Sequence, residues 1–119
     1  MKQDNVIRQK SYDFAIRIIR LCKYLRETKQ EYVLAKQILR SGTSVGANVE
    51  EAISGQSDKD FLNKLSIAYK EARETSYWLR LLHDTEYLEP TEFKSLHKDI
   101  EEILKILGSI QKTIKSKSS

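Results

Sequence analysis

Apolar residues recur at intervals of three and four along almost the whole chain, which is the spacing of one face of an α-helix. Short polar breaks divide this pattern into four stretches. The pattern predicts four helices, with Ser57 as the N-cap of the third and Pro90 in the first turn of the fourth. Their predicted bounds are about residues 5–28, 30–55, 58–85 and 90–115.

The breaks between the four stretches are too short for long crossovers, so consecutive helices are predicted to run antiparallel. We therefore predict an all-α fold, an antiparallel up-down four-helix bundle. With 119 residues, one Pro and four Gly, the chain fits a single domain over residues 1–119.

The segment SGTSVGANVEEA, residues 41–52, keeps the helical period although its residues are small and polar. A phosphate-binding loop would need Lys and then Ser or Thr after its last glycine, whereas Ala47 and Asn48 follow here. As a helix, the segment loses about 1 kcal/mol at each glycine relative to alanine. Close tertiary packing must offset that cost, and Gly42 and Gly46 leave room for it.

A polar strip runs beside these glycines, made of Arg40, Ser44, Asn48 and Glu51. Ser and Asn suit a packed, hydrogen-bonding surface, so the strip predicts either packing inside one bundle or an interface between subunits. Both alternatives stay open.

Two aromatic residues of the predicted third helix, Tyr77 and Trp78, are adjacent and cannot both point to the core. At least one is predicted to contact another subunit or a partner.

The first predicted helix carries an excess of positive charge. The net charge is +4, and residues 1–29 alone carry eight Lys or Arg against three Asp or Glu. A basic helix favours an anionic partner. At 100° per residue, the outer side of this helix carries Lys10, Arg17, Arg20 and Tyr24, which we predict to bind nucleic acid. A solvated helix face would show the same pattern, so that alternative remains.

Other features argue against a membrane protein and against secretion. No apolar run approaches the roughly 20 residues that span a bilayer. The first ten residues contain no apolar segment of a signal peptide, and the lone Cys22 fits a reducing compartment. We expect a cytoplasmic protein that does not associate with membranes.

The chain carries no combination of side chains that indicates an enzyme. No Glu stands three residues before either histidine, as di-iron bundles require. Glu71 and Glu74 are flanked by Lys70 and Arg73, so ion pairing on the helix surface is predicted for them rather than acid–base chemistry. We predict no catalytic residue, no cofactor and no metal.

Two segments carry a resemblance to a known family. RSGTSVGANVEEA resembles the signature of the bacterial four-helix-bundle family encoded within intervening sequences of large-subunit ribosomal RNA genes. The matching positions are Arg40, Ser44, Val45, Asn48, Val49 and Glu51. IAYKEARETSYWLRLL resembles the third helix of some members, and the likeness covers about residues 11–115. Ala52 and Gly46 depart from the usual residues but remain small.

The resemblance implies a bundle that assembles as a homopentamer. The chain is also similar to the accessory protein of diversity-generating retroelements, a pentamer that binds nucleic acid and a partner reverse transcriptase. The expected partners are therefore the chain itself, RNA or DNA, and a reverse transcriptase or other protein. The expected function is a non-enzymatic, nucleic-acid-associated accessory role. The alternative is a homo-oligomeric protein-interaction scaffold that does not bind nucleic acid.

Overall fold

A computed structural model gives the fold, and it describes residues 2–118 and the side chains of residues 4–117. Within that part of the chain there are four helices and no strand. Consecutive helices pack together and the first also packs on the last, so the predicted antiparallel four-helix bundle is confirmed. The helices are α1 (Lys2–Glu27), α2 (Val33–Ile53), α3 (Asp58–Asp84) and α4 (Pro90–Ser118).

Local chemistry fixes the helix ends. The Ser57 hydroxyl accepts a hydrogen bond from the Asp60 amide at 3.2 Å, which confirms the predicted N-cap of α3. α2 begins at Val33, later than predicted, because Gln30 adopts a left-handed backbone with φ of 54°. The Glu31 carboxylate then accepts from the amide of Leu34 at 3.0 Å and satisfies one of the first free amides of α2.

The core is built from one apolar row on each helix, as the period predicts. α1 supplies Phe14, Ile18 and Leu25, all at most 1% exposed, and α4 supplies an unbroken series from Leu96 to Ile114. Ala15, next to Phe14, is only half-buried. The buried row of α1 also includes Ile7 and Leu21.

The small-residue segment of α2 is helical, and it is the place where α1 comes closest. A Cβ atom on Gly42 would lie 2.8 Å from both Cγ atoms of Ile18. One on Gly46 would lie 3.2 Å from the backbone carbonyl oxygen of Ser11. The two glycines therefore let the backbones of α1 and α2 approach each other inside one chain.

A buried polar contact joins α2 to α3. The hydroxyl oxygens of Ser41 and Thr75 lie 2.9 Å apart, and both residues are fully buried. Thr75 also hydrogen-bonds to the Glu71 carbonyl oxygen at 2.8 Å. Because both hydroxyls are hydrogen-bonded, this polar contact fixes the register of the two helices without leaving an unsatisfied group.

In the described part of the chain, no helix combines the length and the apolar character needed to cross a bilayer.

Candidate nucleic-acid interface

The flank where α1 meets α4 contains two of the residues predicted to bind nucleic acid. Arg17 donates from Nη1 to Asp99 Oδ2 at 2.6 Å and from Nη2 to Glu92 Oε1 at 3.2 Å. Lys10 donates from Nζ to Glu102 Oε2 at 3.0 Å. These contacts hold both cations in the bundle and neutralise them.

The same contacts act on the acidic partners. The Lys10 hydrogen bond, helped by the charges of Lys10, Lys98 and Lys105, lowers the pKa of Glu102. An acidic flank on α4 thus faces the basic side of α1. The sequence already carried a signal for it, since Glu92, Asp99 and Glu102 fall on one flank of a helix.

Arg20 and Tyr24 lie one to two turns further along α1 and join Arg17 at a groove beside the start of α4. The groove has a volume of about 410 Å³ and also contains two carboxylates. Three of the four predicted residues therefore lie together, and Lys10 lies apart from them. The lining residues are Arg17, Arg20, Leu21, Tyr24, Leu88, Glu89 and Glu92.

The last turns of α1 hold further exposed cations that the sequence analysis did not single out. Arg20, Lys23 and Arg26 are all exposed, three residues apart, and none forms an ion pair with another described side chain. Lys23 and Arg26 line a surface cavity of about 510 Å³ together with Glu27, Gln30 and the ring of Tyr32. The unneutralised charge of α1 is therefore concentrated in its C-terminal third.

The polar strip of α2 faces α3. Arg40 donates from Nη1 to Glu71 Oε2 at 3.1 Å and from Nη2 to Glu74, while Trp78 Nε1 donates to Glu74 at 2.9 Å. Glu71 and Glu74 form ion pairs, as predicted, but their partner is the guanidinium of Arg40 on α2. No ion pair joins them to the Lys70 and Arg73 that flank them in the sequence. Glu51 also pairs across the helices, with Lys64 at 2.8 Å.

Ser44 and Asn48, in the middle of the strip, bond to their own helix. The Ser44 hydroxyl donates to the Arg40 carbonyl at 2.7 Å, and Asn48 Nδ2 donates to the Ser44 carbonyl at 2.9 Å. Both side chains are half-buried. Their hydrogen-bonding groups are thus partly satisfied within the chain.

The two adjacent aromatic residues of α3 both lie away from the core centre. Tyr77 is 48% exposed, and its ring meets that of Trp78 edge-on, with centroids 5.0 Å apart. The Arg80 guanidinium lies over the Tyr77 ring, 5.9 Å from its centroid. Trp78 is half-buried against the core. Tyr77 is therefore the ring that an outside partner can reach.

Comparison with known proteins places this bundle in a family. The family model for the 23S rRNA-intervening sequence protein matches residues 3–109. The chain belongs to that family. It is similar to a protein of unknown function from the S23 ribosomal protein family of Bacteroides thetaiotaomicron, solved at 1.70 Å. The two share 54% identity over 92% of this chain and 98% of the other, with a TM-score of 0.91. No curated protein matches the chain.

Cys22 and the two histidines pack against neighbouring side chains and backbone. Cys22 is 4% exposed and its Sγ donates to the Ala35 carbonyl at 3.3 Å. Burial raises the pKa of the Cys22 thiol to about 11, so the nucleophilic thiolate is scarce near neutral pH. His83 and His97 both stack with the Phe93 ring, with centroid distances of 4.4 and 5.1 Å.

The described residues contain no group of three or more His, Cys, Asp or Glu side chains arranged to hold a metal ion.

Proposed function

We propose that this intervening-sequence protein is a non-enzymatic, oligomeric accessory protein of the cytoplasm that binds RNA or DNA through the basic surface of α1. The observation that carries the proposal is the exposed trio Arg20, Lys23 and Arg26, with no ion pair to any described side chain. Tyr24 lies among them and is 37% exposed, so a ring for base stacking accompanies the charges.

The ion pairs between α1 and α4 change how much each predicted residue is expected to contribute to nucleic-acid binding. Lys10 and Arg17 reach phosphate only after releasing carboxylates that lie 2.6 to 3.2 Å away. Arg20 and Tyr24 need no such release. The proposed surface is therefore the C-terminal third of α1, with Lys10 and Arg17 contributing mainly to the bundle.

Self-association is part of the proposal, with five copies as the resemblance implies. It is supported by large apolar side chains left outside the core: Tyr12 is 61% exposed, Ile19 43% and Val33 70%. Tyr12 and Ile19 lie on the same flank of α1, seven residues apart. Assembly would cover this flank and would repeat the cations of α1 in every copy, which multiplies phosphate contacts.

The second candidate function is a homo-oligomeric scaffold that binds protein and no nucleic acid. The same exposed apolar side chains favour it, together with the internal neutralisation of Lys10 and Arg17. The likeness to the retroelement accessory protein adds a reverse transcriptase or another protein as a proposed partner. Tyr77, which is 48% exposed, is where such a protein would dock.

Salt-dependent binding separates the two functions. The test is fluorescence anisotropy of labelled duplex DNA and structured RNA between about 50 and 200 mM salt. The salt slope is the slope of the logarithm of the binding constant against the logarithm of the salt concentration, and each phosphate contact steepens it by about 0.9. The variant Arg20→Gln with Lys23→Gln removes two cations of α1. Lys70→Gln with Arg73→Gln is its matched control, with the same spacing and charge loss on the exposed face of α3.

We expect the α1 variant to bind more weakly with a shallower salt slope, and the α3 variant to bind like the native chain. Light scattering and circular dichroism establish that each variant keeps its mass and helicity. Equal losses in the two variants would mean that net charge alone attracts nucleic acid. If an intact oligomer binds nothing at about 50 mM salt, the scaffold function replaces the proposal.

A further inference from the structure

The charges of α4 are sorted onto two sides of the helix. Glu92, Asp99 and Glu102 lie on the flank that faces α1, where they pair with its cations. The outer side, away from the core, carries lysines at spacings of four, seven and seven residues, with Glu101 in the same arc. At 100° per residue these lysines fall within about 40° of one another, so they form one straight row. This lysine row consists of Lys94, Lys98, Lys105 and Lys112.

The lysine row is solvent-facing, and two of its members, Lys98 and Lys105, act on Glu102 through charge alone. All four side chains are exposed, and none forms an ion pair with another described side chain. The carboxylate that shares the outer face, Glu101, lies 3.4 Å from His97 Nε2. Beyond Glu102 the chain contains four lysines and no acidic residue. The second half of α4 is therefore a cationic surface in its own right.

The dimensions of the row fit a rigid, regularly charged partner. Lys94 and Lys112 are 18 residues apart in the sequence, so they are separated by about 27 Å along the helix. That length covers about eight base pairs of duplex at 3.4 Å each. A protein partner would have to supply an acidic row of the same length, whereas a duplex presents phosphates along its whole backbone.

The row also lacks the rings that single strands need. Among the large apolar side chains that are exposed in the described part of the chain, none belongs to α4. Phe93 and His97 are half-buried and stacked on each other, with centroids 5.1 Å apart. Proteins that hold single strands stack successive bases on exposed aromatic side chains. Tyr69 of α3 lines a surface cavity beside Lys112, but its side chain is half-buried. A row of ammonium groups without exposed rings contacts phosphates, and such contacts position a duplex without reading its sequence.

We propose that the lysine row of α4 docks the phosphate backbone of a double-stranded nucleic acid, RNA or DNA. The inference rests on the nucleic-acid-binding function proposed above and adds two elements to it. It names the duplex form as the partner, and it places a second contact surface on α4. Binding through this row is independent of base sequence and strongly dependent on salt.

The test replaces all four lysines of the row by glutamine, which keeps helix propensity and removes four charges. The matched control changes Lys59, Lys70, Arg73 and Arg80 of α3 to glutamine, because these exposed cations also form no ion pair with a described side chain. A third variant changes the lysine row to arginine and keeps its charge. The probes are labelled duplex RNA, duplex DNA and a single strand of equal length.

We expect the glutamine variant of the row to bind duplex about tenfold or more weakly than the native chain near 100 mM salt. Its salt slope should be shallower by about 0.9 for each phosphate that the variant no longer binds. The arginine variant should bind like the native chain, and the single strand should be affected less than either duplex. Equal weakening on both duplexes supports recognition of the shared backbone. Weakening on one duplex alone supports the row and identifies that duplex as the partner.

Three results overturn the inference while the proposed function stands. The first is equal weakening of duplex binding by the row variant and the α3 control, and the second is native-like duplex binding by the row variant. The third is a preference for the single strand that the row variant does not change. A native chain that binds none of the three probes overturns the proposed function itself. Circular dichroism and light scattering must show the row variant folded. If it unfolds, duplex binding is measured instead with the arginine variant and with variants in which two lysines of the row at a time are changed to glutamine.

Discussion

Helix α1 approaches its two neighbours differently, although an ion pair joins it to each of them, Arg8 to Glu50 at 2.7 Å on the α2 side. Against α2 it makes backbone-close contact, so that a Cβ on Gly46 would lie 3.2 Å from the Ser11 carbonyl oxygen. Against α4 it is joined near the surface by ion pairs, with Arg17 27% and Asp99 39% exposed. At the first junction, an added methyl group would force a neighbouring atom to shift. At the second, the ion pairs are made by long side chains that water can replace, outside the shared core.

The magnitudes follow from that contrast. Forcing extra atoms into a packed contact costs about 1 to 3 kcal/mol or more. An ion pair near the surface contributes only about 0.2 to 1 kcal/mol, because water already solvates the charges and salt screens them. Substitutions at the α1–α2 junction should therefore change stability much more than substitutions at the α1–α4 junction.

The largest effect is expected from Gly46→Leu. Its side chain would drive into the α1 backbone at Ser11, which cannot turn aside as a flexible side chain can. We expect a loss of about 3 kcal/mol or more in the free energy of unfolding, measured by urea denaturation followed by circular dichroism.

Gly108→Ala is the control for Gly46→Leu. A Cβ there would lie 3.7 Å from Cε2 of Tyr69, an ordinary contact, so this change should stabilise α4 by up to about 1 kcal/mol. A Gly46→Leu chain that folds stably as a monomer would contradict the packing role of Gly46. It would show instead that this face of α2 is an interface between subunits.

The second prediction uses Cys22, on the α2 side of α1, as a reporter of the close junction. Burial raises the pKa of its thiol to about 11. At pH 8 about one thiol in a thousand is then ionised. We expect iodoacetamide to label the folded protein at least about 100-fold more slowly than the denatured protein, with the rate measured by mass spectrometry.

Two comparisons test whether the slow labelling of Cys22 reports on the α1–α2 junction. Gly42→Ala, which crowds Ile18, should accelerate the labelling, whereas Arg17→Gln on the other junction should not. An exposed thiol, placed by Ser109→Cys in a Cys22→Ala chain, should label at the rate of the denatured protein. Equal acceleration by Gly42→Ala and Arg17→Gln would mean that the two junctions open together.

The same raised pKa fixes a pH dependence. The unfolded thiol ionises at about 9 and the folded thiol at about 11. The folded state therefore binds the proton more tightly, and the stability that this contributes is complete below pH 9. It is lost as the pH rises from 9 towards 11. Cys22→Ala should remove this part of the alkaline loss in denaturation curves.

The fold could be predicted from the sequence because hydrophobic period alone decides which face of each helix is buried. Gly42 and Gly46 similarly predicted a close contact. The residues of α1 that fill that contact could not be predicted, because the sequence of one helix does not specify the point along its axis at which the other helix crosses it. Only the structure shows Ser11 and Ile18 opposite the two glycines.

The candidate site was less predictable for a related reason. Lys10 and Arg17 were predicted to lie on the outer side of α1, but both pair with carboxylates of α4. A helical wheel does not show which side of α4 faces them. The pairing depends on how both helices are rotated about their axes, and packing of the whole core fixes those rotations. For the same reason, the ion pairs of Arg40 with the carboxylates of α3 could not be predicted from the sequence.

The third prediction concerns Arg17 and Asp99, whose side-chain atoms lie 2.6 Å apart. Arg17→Gln should lower the free energy of unfolding by about 1 kcal/mol or less, since both groups are partly exposed. A double-mutant cycle with Asp99→Asn should give a coupling energy of about 0.5 kcal/mol that shrinks as salt rises. A salt-independent coupling above about 2 kcal/mol would contradict the view of this junction as a surface contact.

The smallest effect is expected at the exposed pair Lys10 and Glu102. The Lys10 hydrogen bond and charge lower the pKa of Glu102, so the pair stabilises the fold above the ordinary pKa of the carboxyl, 4.5, and this contribution is lost as the pH falls through the lowered value. Lys10→Gln should raise the pKa of Glu102 towards 4.5 in an NMR titration of the side-chain carboxyl.

Lys105→Gln is the matched control for this last prediction, because Lys105 lowers the pKa of Glu102 through charge alone and by the smallest of the contributions. It should raise the pKa of Glu102 less than Lys10→Gln does. Equal shifts in the two variants would mean that Glu102 responds to the general field of nearby lysines, not to a hydrogen bond. Arg17 would then supply the ion pairs that join α1 to α4 beside their shared core, and Lys10 would be available to an anionic partner.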